Sequence, residues 1–99
     1  MKRYRHERRA VARTALEMWE QGLVQGTWGN ISLLLTPDLL LITPSGADYT
    51  SLRPRDISLV DMVSDTCVKG GRPSSEYLLH KEIYRTAGDI RALVHSHSP

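Results

Sequence analysis

The chain has 99 residues, 40% hydrophobic and 24% charged, a globular balance with room for one domain. Its formal net charge of +2 is too small to argue for nucleic acid or an anionic membrane as a partner. The single Cys67 excludes an internal disulfide, fits a reducing, cytoplasmic setting, and has no basic or histidine neighbour beside it to activate the thiol.

The first element is a helix over Lys2 to Leu23. Val11, Ala12, Ala15, Leu16, Trp19 and Leu23 recur at three- and four-residue spacing and predict its buried stripe. Lys2, Arg3, Arg5, Arg8, Arg9 and Arg13 load its first half with positive charge, against the helix dipole. Glu7, Glu17 and Glu20 dilute that field, so a solvated face or a subunit contact is the preferred reading. Gly26-Thr27-Trp28-Gly29-Asn30-Ile31-Ser32 is a loop entering a strand over Ile31–Thr36. Pro37-Asp38 turns the chain into a second strand over Leu39–Thr43. Both strands are almost wholly apolar, which predicts a hairpin covered on both faces. Thr43-Pro44-Ser45-Gly46 is a second polar turn, followed by an irregular stretch with one helical turn at Ser51-Leu52-Arg53. A third strand is predicted over Ile57–Val63, and a loop over Ser64–Gly71 with Gly70-Gly71 as its flexible point. Pro73-Ser74-Ser75 opens a helix to Ala87, with Leu79, Ile83 and Ala87 as its buried stripe and Gly88 as its stop. Ala92-Leu93-Val94 is a short apolar run of the kind that makes a buried strand. The order of elements predicts an α/β (α+β-like) fold, with helices on a sheet.

The last strand carries the chemistry. His95 and His97 alternate with Ser96, so on a strand both project to one face, about 6.5–7 Å apart at their α-carbons. Two imidazoles on one face can share a divalent ion. Three small-polar turns, Gly29-Asn30, Ser45-Gly46 and Ser74-Ser75, offer glycine backbone and neutral donors, the last pair at a helix start where N–H groups attract anions. Together they suit a phosphate, although each alone is an ordinary turn or cap. Glu76 follows Ser75 directly. It is either first-turn dipole chemistry or, beside an anion and a metal, a general base. His80 lies one helical turn on, on the face of Glu76; packing or solvation suits it better than ligation.

Gly26-Thr27-Trp28-Gly29-Asn30-Ile31-Ser32, Ile42-Thr43-Pro44-Ser45-Gly46, Pro73-Ser74-Ser75-Glu76 and Val94-His95-Ser96-His97-Ser98 together resemble the class II aldolase/adducin family, in order and in spacing. The resemblance implies a central, mostly antiparallel sheet between helix layers. It also implies zinc-dependent aldol cleavage of a phosphorylated ketose such as L-fuculose 1-phosphate, to dihydroxyacetone phosphate and a short aldehyde. By that resemblance Gly29, Asn30, Ser45, Gly46, Ser74 and Ser75 hold the substrate phosphate. Glu76 carries the proton and contacts the metal, and His95 and His97 are two of three histidine ligands to one Zn2+ per subunit of a cytoplasmic homotetramer. The implied partner is a small sugar phosphate, not nucleic acid or membrane. The third histidine and the later strands of the family have no counterpart within 99 residues, so the chain reads as the N-terminal part of a longer domain and is expected to be inactive by itself. Two other readings stay open: a sugar-phosphate epimerase or dehydratase of the same family, and a non-catalytic, adducin-like interaction module.

Overall fold

Eight of the chain's apolar residues stand in two strands joined by a tight turn, and the sheet grows outward from that hairpin. The computed structural model describes residues 3–24 and 29–96. Its strands are β1 (Asn30–Thr36), β2 (Leu39–Ile42), β3 (Ser58–Asp61), β4 (Thr66–Lys69) and β5 (Ala92–His95). They form one sheet in the order β4-β3-β2-β1-β5, with every pairing antiparallel. Helix α1 (Arg5–Glu20) precedes the sheet, a short 3-10 turn covers Pro54–Asp56, and helix α2 (Tyr77–Ala87) crosses between β4 and β5.

Alternation along the strands separates two cores. Ile31, Leu41 and Leu59 point to one face and pack with Val11, Ala12, Ala15 and Met18 of α1. Leu40, Ile42 and Val60 point to the other and pack with Met62 and Tyr84 of α2, with Leu34, Tyr77 and Leu93 at the margin. The hairpin is thus covered on both faces, as its unbroken apolar run predicts. Leu40, Leu41 and Ile42 are fully buried, each burial contributing about 1.5–3 kcal/mol relative to exposure.

Several expectations change. The first helix starts at Arg5 and ends at Glu20, inside the predicted span; Lys2 lies outside the described residues. Its buried stripe is Arg8, Val11, Ala12, Ala15 and Met18, whereas Leu16, Trp19 and Leu23 are exposed. The two alanines admit the helix close to the sheet, and flexible Met18 fills the remaining gap better than a bulky indole. The helical turn falls at Pro54–Asp56, not at residues 51–53, because Pro54 suits the first position and Asp56 accepts the Arg53 N–H at 2.9 Å. The third strand is shorter than predicted. The predicted loop after it contains β4, a polar edge strand whose Thr66-Cys67-Val68-Lys69 has too little apolar alternation to signal itself. Gly70 is not a flexible point there. Its φ is +86°, and a Cβ would stand 2.1 Å from the Ile57 carbonyl oxygen, so glycine lets β4 lie against β3.

In α2 the buried stripe is rotated by one residue. His80 and Tyr84 face the sheet, Ile83 is half-buried, and Leu79 and Ala87 are exposed. The helix starts at Tyr77, after the Ser74 hydroxyl has accepted the Glu76 N–H at 3.1 Å, and ends at Gly88 as predicted. Among the described strands β5 is an edge, so its run is only half covered: Leu93 meets the α2-side core while Val94 is 55% exposed.

Candidate active site at the β1–β5 edge

The strand period and the helix period meet on the α2 face. Asn30 and Ser32 alternate to that face of β1, and their partners in the antiparallel register are His95 and Leu93 of β5. On α2, Glu76, His80 and Tyr84 stand four residues apart and share one stripe over the sheet. Six side chains join where the two periods cross. Tyr84 Oη lies 2.8 Å from Ser32 Oγ, which lies 2.6 Å from His80 Nδ1. His80 Nε2 is bonded to Asn30 Oδ1, Asn30 Nδ2 donates to Glu76 Oε2 at 2.9 Å, and His95 Nδ1 reaches the same carboxylate oxygen. Asn30, Ser32, His80 and Tyr84 are buried; Glu76 and His95 are half-buried and open the chain toward solvent. Burial, reinforced by the nearby His95 and opposed by Glu76, lowers the His80 pKa to about 4, so its ring is neutral at physiological pH. Burial also raises the Tyr84 phenol above its ordinary value.

The three small-polar turns converge on Thr43. Its N–H donates to the Ile31 carbonyl at 2.9 Å, and its carbonyl accepts the Ser74 N–H at 3.1 Å. Its hydroxyl oxygen accepts the Ile31 N–H at 3.2 Å. Two residues on, the Ser45 N–H donates to the Arg72 carbonyl at 2.7 Å. Tyr49 donates its hydroxyl to the Gly29 carbonyl at 2.8 Å and lies 3.2 Å from Thr43 Oγ1. Gly29 has φ +140°, and a Cβ there would stand 2.6 Å from Val24 Cγ1 and 3.1 Å from the His95 carbonyl oxygen. Glycine at this position therefore brings the first turn and the end of β5 together.

Of the residues singled out in the sequence, Asn30, Glu76 and His95 are in direct contact. Ser74 accepts the Glu76 N–H in the turn that leads into α2, Ser45, Gly46 and Ser75 are exposed, and His97 lies outside the described residues. Asn30 is 4% exposed, and its amide spans His80 and Glu76 rather than standing open on a turn. His80 is no ligand in this arrangement, since both ring nitrogens are engaged inside the protein. Sequence reasoning passed over Ser32, Thr43, Tyr49 and Tyr84. The four-residue spacing of Glu76, His80 and Tyr84 was the available signal. Cys67 is not activated, because burial pushes its thiol up.

A carboxylate and an imidazole in contact make a donor pair that suits zinc. With Nδ1 on Glu76, the ligating atom of His95 would be Nε2, and the carboxylate would fix its tautomer. Among the described residues no third histidine, cysteine or acidic side chain joins the pair. The basic half of α1 lies elsewhere: Arg5, Arg8 and Arg9 share a cleft with Arg53 and Arg55. No helix among the described residues is long and apolar enough to cross a membrane.

Comparison with known proteins places the sequence and the fold. Residues 9–99 match the model of the class II aldolase and adducin N-terminal domain. The chain is 37% identical over 94 residues to 5-deoxy-D-ribulose 1-phosphate aldolase of Bacillus thuringiensis, covering 94% of this chain and 44% of that protein. It is 38% identical over 95 residues to methylthioribulose-1-phosphate dehydratase of Alcanivorax borkumensis, covering 96% of this chain and 44% of the relative. The chain thus spans less than half the length of these two relatives. A solved L-fuculose 1-phosphate aldolase superposes with a TM-score of 0.83 at 34% identity, over 92% of this chain and 43% of its own. The sheet, the helix across it and these matches agree: the chain belongs to the class II aldolase and adducin N-terminal domain family.

Proposed function

We propose that the protein carrying this chain cleaves a phosphorylated ketose of the L-fuculose 1-phosphate kind to dihydroxyacetone phosphate and a short aldehyde. The observation that carries the reading is the Glu76 carboxylate, gripped by Asn30 and His95 directly after the Ser74-Ser75 turn that leads into α2. The phosphate is assigned to Gly29, Asn30, Ser45, Gly46, Ser74 and Ser75; Thr43 ties the three turns that carry them to one another. Held there, the phosphate supplies binding energy remote from the reacting carbons and fixes the pose of the substrate. Cleavage breaks the bond between the carbon beside the carbonyl and the next, hydroxyl-bearing carbon: that hydroxyl loses its proton to solvent and becomes the aldehyde carbonyl, and the electron pair stays on the dihydroxyacetone phosphate carbon. Glu76 delivers a proton to that carbon and removes it in the reverse direction. His95 and His97, with Glu76, are assigned to one Zn2+, which when bound would act as a Lewis acid toward the substrate oxygens.

The experiment is a coupled assay for dihydroxyacetone phosphate released from L-fuculose 1-phosphate, with metal analysis of His95→Ala and His97→Ala. Turnover, and loss of about one zinc per chain in each variant, are expected. Unchanged zinc in both variants would remove the metal assignment. Equal affinity for dihydroxyacetone and its phosphate would remove the phosphate assignment.

A dehydratase is the second reading, favoured by the 38% identity to a sugar-phosphate dehydratase. It removes a proton from the carbon beside the carbonyl, as an aldolase does in the condensation direction, and then expels the hydroxyl of the next carbon as water, so product identity decides between them. Self-association is proposed as well. Exposed Trp19, Leu23, Leu78 and Val94 offer apolar surface for a second copy to cover, and light scattering would measure it.

A further inference from the structure

Resting on the reading of Glu76 as the proton carrier, we infer that Tyr84, Ser32 and His80 form a one-way hydrogen-bond relay that fixes the orientation of the Asn30 amide, and through it the Glu76 carboxylate. His80 is then a positioning residue of the site, one turn away from the group it serves.

The direction of the relay follows from donors and acceptors. An ionised carboxylate only accepts, so Asn30 presents Nδ2–H to Glu76 Oε2. That turns Asn30 Oδ1 toward His80, and a carbonyl oxygen needs a donor, so His80 carries its proton on Nε2. The ring is 1% exposed, and none of its hydrogen bonds goes to a carboxylate, so burial disfavours the imidazolium and leaves Nδ1 with a lone pair. Ser32 Oγ–H donates to that lone pair, and its oxygen accepts from the Tyr84 hydroxyl. Tyr84 is tied in turn to the backbone of Leu93, the strand that also carries His95. Every proton in the series points toward Glu76. A flipped Asn30 amide would set oxygen against carboxylate and nitrogen against an N–H, two clashes at once. The relay therefore allows one amide orientation, and it joins β1, α2 and β5, the three elements that meet at the site.

Two measurements on the intact protein test this. The first is two-dimensional 15N–1H NMR of the histidine rings, which needs no activity. The Nε2–H tautomer for His80, retained in Glu76→Gln, is expected; an Nδ1–H tautomer would overturn the relay. The second compares His80→Leu, His80→Gln and Tyr84→Phe by solvent-deuterium exchange into dihydroxyacetone phosphate. His80→Leu is expected to lower kcat about 10- to 100-fold, the usual loss for a group that orients a site residue, with KM changed far less. Glutamine can present an N–H to Asn30 and is expected to recover most of that loss; Tyr84→Phe is expected to give an intermediate loss. A folded His80→Leu with unchanged kcat, or His80→Gln no better than His80→Leu, would overturn the proposal. If His80→Leu does not fold, the tautomer and Tyr84→Phe still decide, full kcat in Tyr84→Phe counting against the relay. Should the wild type turn over no phosphorylated ketose, the functional reading fails, and the tautomer alone judges the relay.

Discussion

The two faces of the sheet are built on different principles. On the α1 side, Ile31, Leu41 and Leu59 meet Val11, Ala12, Ala15 and Met18 in contacts that are apolar and non-directional, and the polar ends of Tyr49 and Arg8 bond chiefly to backbone carbonyls. On the α2 side, Leu40, Ile42 and Val60 surround Ser32, His80 and Tyr84, whose polar atoms are paired with one another. Among the described residues no buried side-chain nitrogen or oxygen lacks a partner. An apolar interior accepts any filling of the right volume and loses stability gradually. A polar chain inside it accepts one arrangement, because each group depends on the next. The first face therefore specifies that the sheet is covered; the second specifies where particular atoms stand, and the candidate active site opens from the second.

Substitutions that strike one face and spare the other probe the difference. The largest effect should come from Glu76→Gln. Glutamine keeps the size of the side chain but cannot take the proton, so exchange of deuterium into dihydroxyacetone phosphate should fall by about 10²–10⁴-fold, with phosphate binding largely kept. A normal exchange rate in that variant would show that another group carries the proton.

Leu41→Ala strikes the opposite face. Leu41 is fully buried, and the substitution should cost about 2–5 kcal/mol in urea unfolding. Activity per folded molecule should stay near wild type. If Leu41→Ala abolished turnover while the protein stayed folded, the separation of the two faces would be wrong.

Acid should weaken the α2 face selectively. His80 is held at about 4, below the ordinary histidine value of 6.5. Below pH 6.5 the unfolded chain binds a proton that the folded chain refuses. Stability contributed by neutral His80 is thus fully present above pH 6.5, falls by about 1.4 kcal/mol per pH unit below it, and is exhausted near pH 4. Unfolding curves for wild type and His80→Leu should converge in slope above pH 6.5 and diverge below. Identical pH profiles would exclude His80 as the source.

The smallest effect is expected where the turn between β3 and β4 meets α2. Asp65 accepts from Lys81 at 2.8 Å and from the Tyr77 hydroxyl, and these bonds hold its carboxyl below the usual range. The pair is exposed, so Asp65→Asn should shift the thermal midpoint slightly, and only at low salt.

The apolar half of this contrast was legible in the sequence and the polar half only in part. Hydrophobic period alone located β1, β2, α1 and β5 to within a few residues. It failed where tertiary polar contacts overrode it. Leu79, Ile83 and Ala87 outrank His80 and Tyr84 in hydropathy, yet the helix turns the latter inward because Ser32 and Asn30 satisfy them there. Helical period selects Trp19 for the buried stripe, yet Met18 is buried and Trp19 exposed. Strand β4 has too few apolar residues to signal by period and is held by its backbone ladder to β3. At the site, Asn30, Glu76 and His95 are legible one by one as turn residue, first-turn acid or base, and ligand; their mutual contact depends on register, which no local spacing encodes.

The pairing of β1 with β5 also bears on the order in which the chain organises itself. The β1–β2 hairpin closes across Pro37-Asp38 and needs little loop closure. By contrast, Asn30 and Glu76 stand 46 residues apart in sequence, and Ser32 and Tyr84 stand 52 apart. Loop-closure entropy rises with separation, by about 0.6 kcal/mol for each doubling, so long-range ladders form after local ones. In refolding, sheet signal from the hairpin should therefore precede burial of Tyr84. The site belongs to the last ladder to zip, so a chain that displays its Glu76–His95 contact has already completed the rest of its sheet.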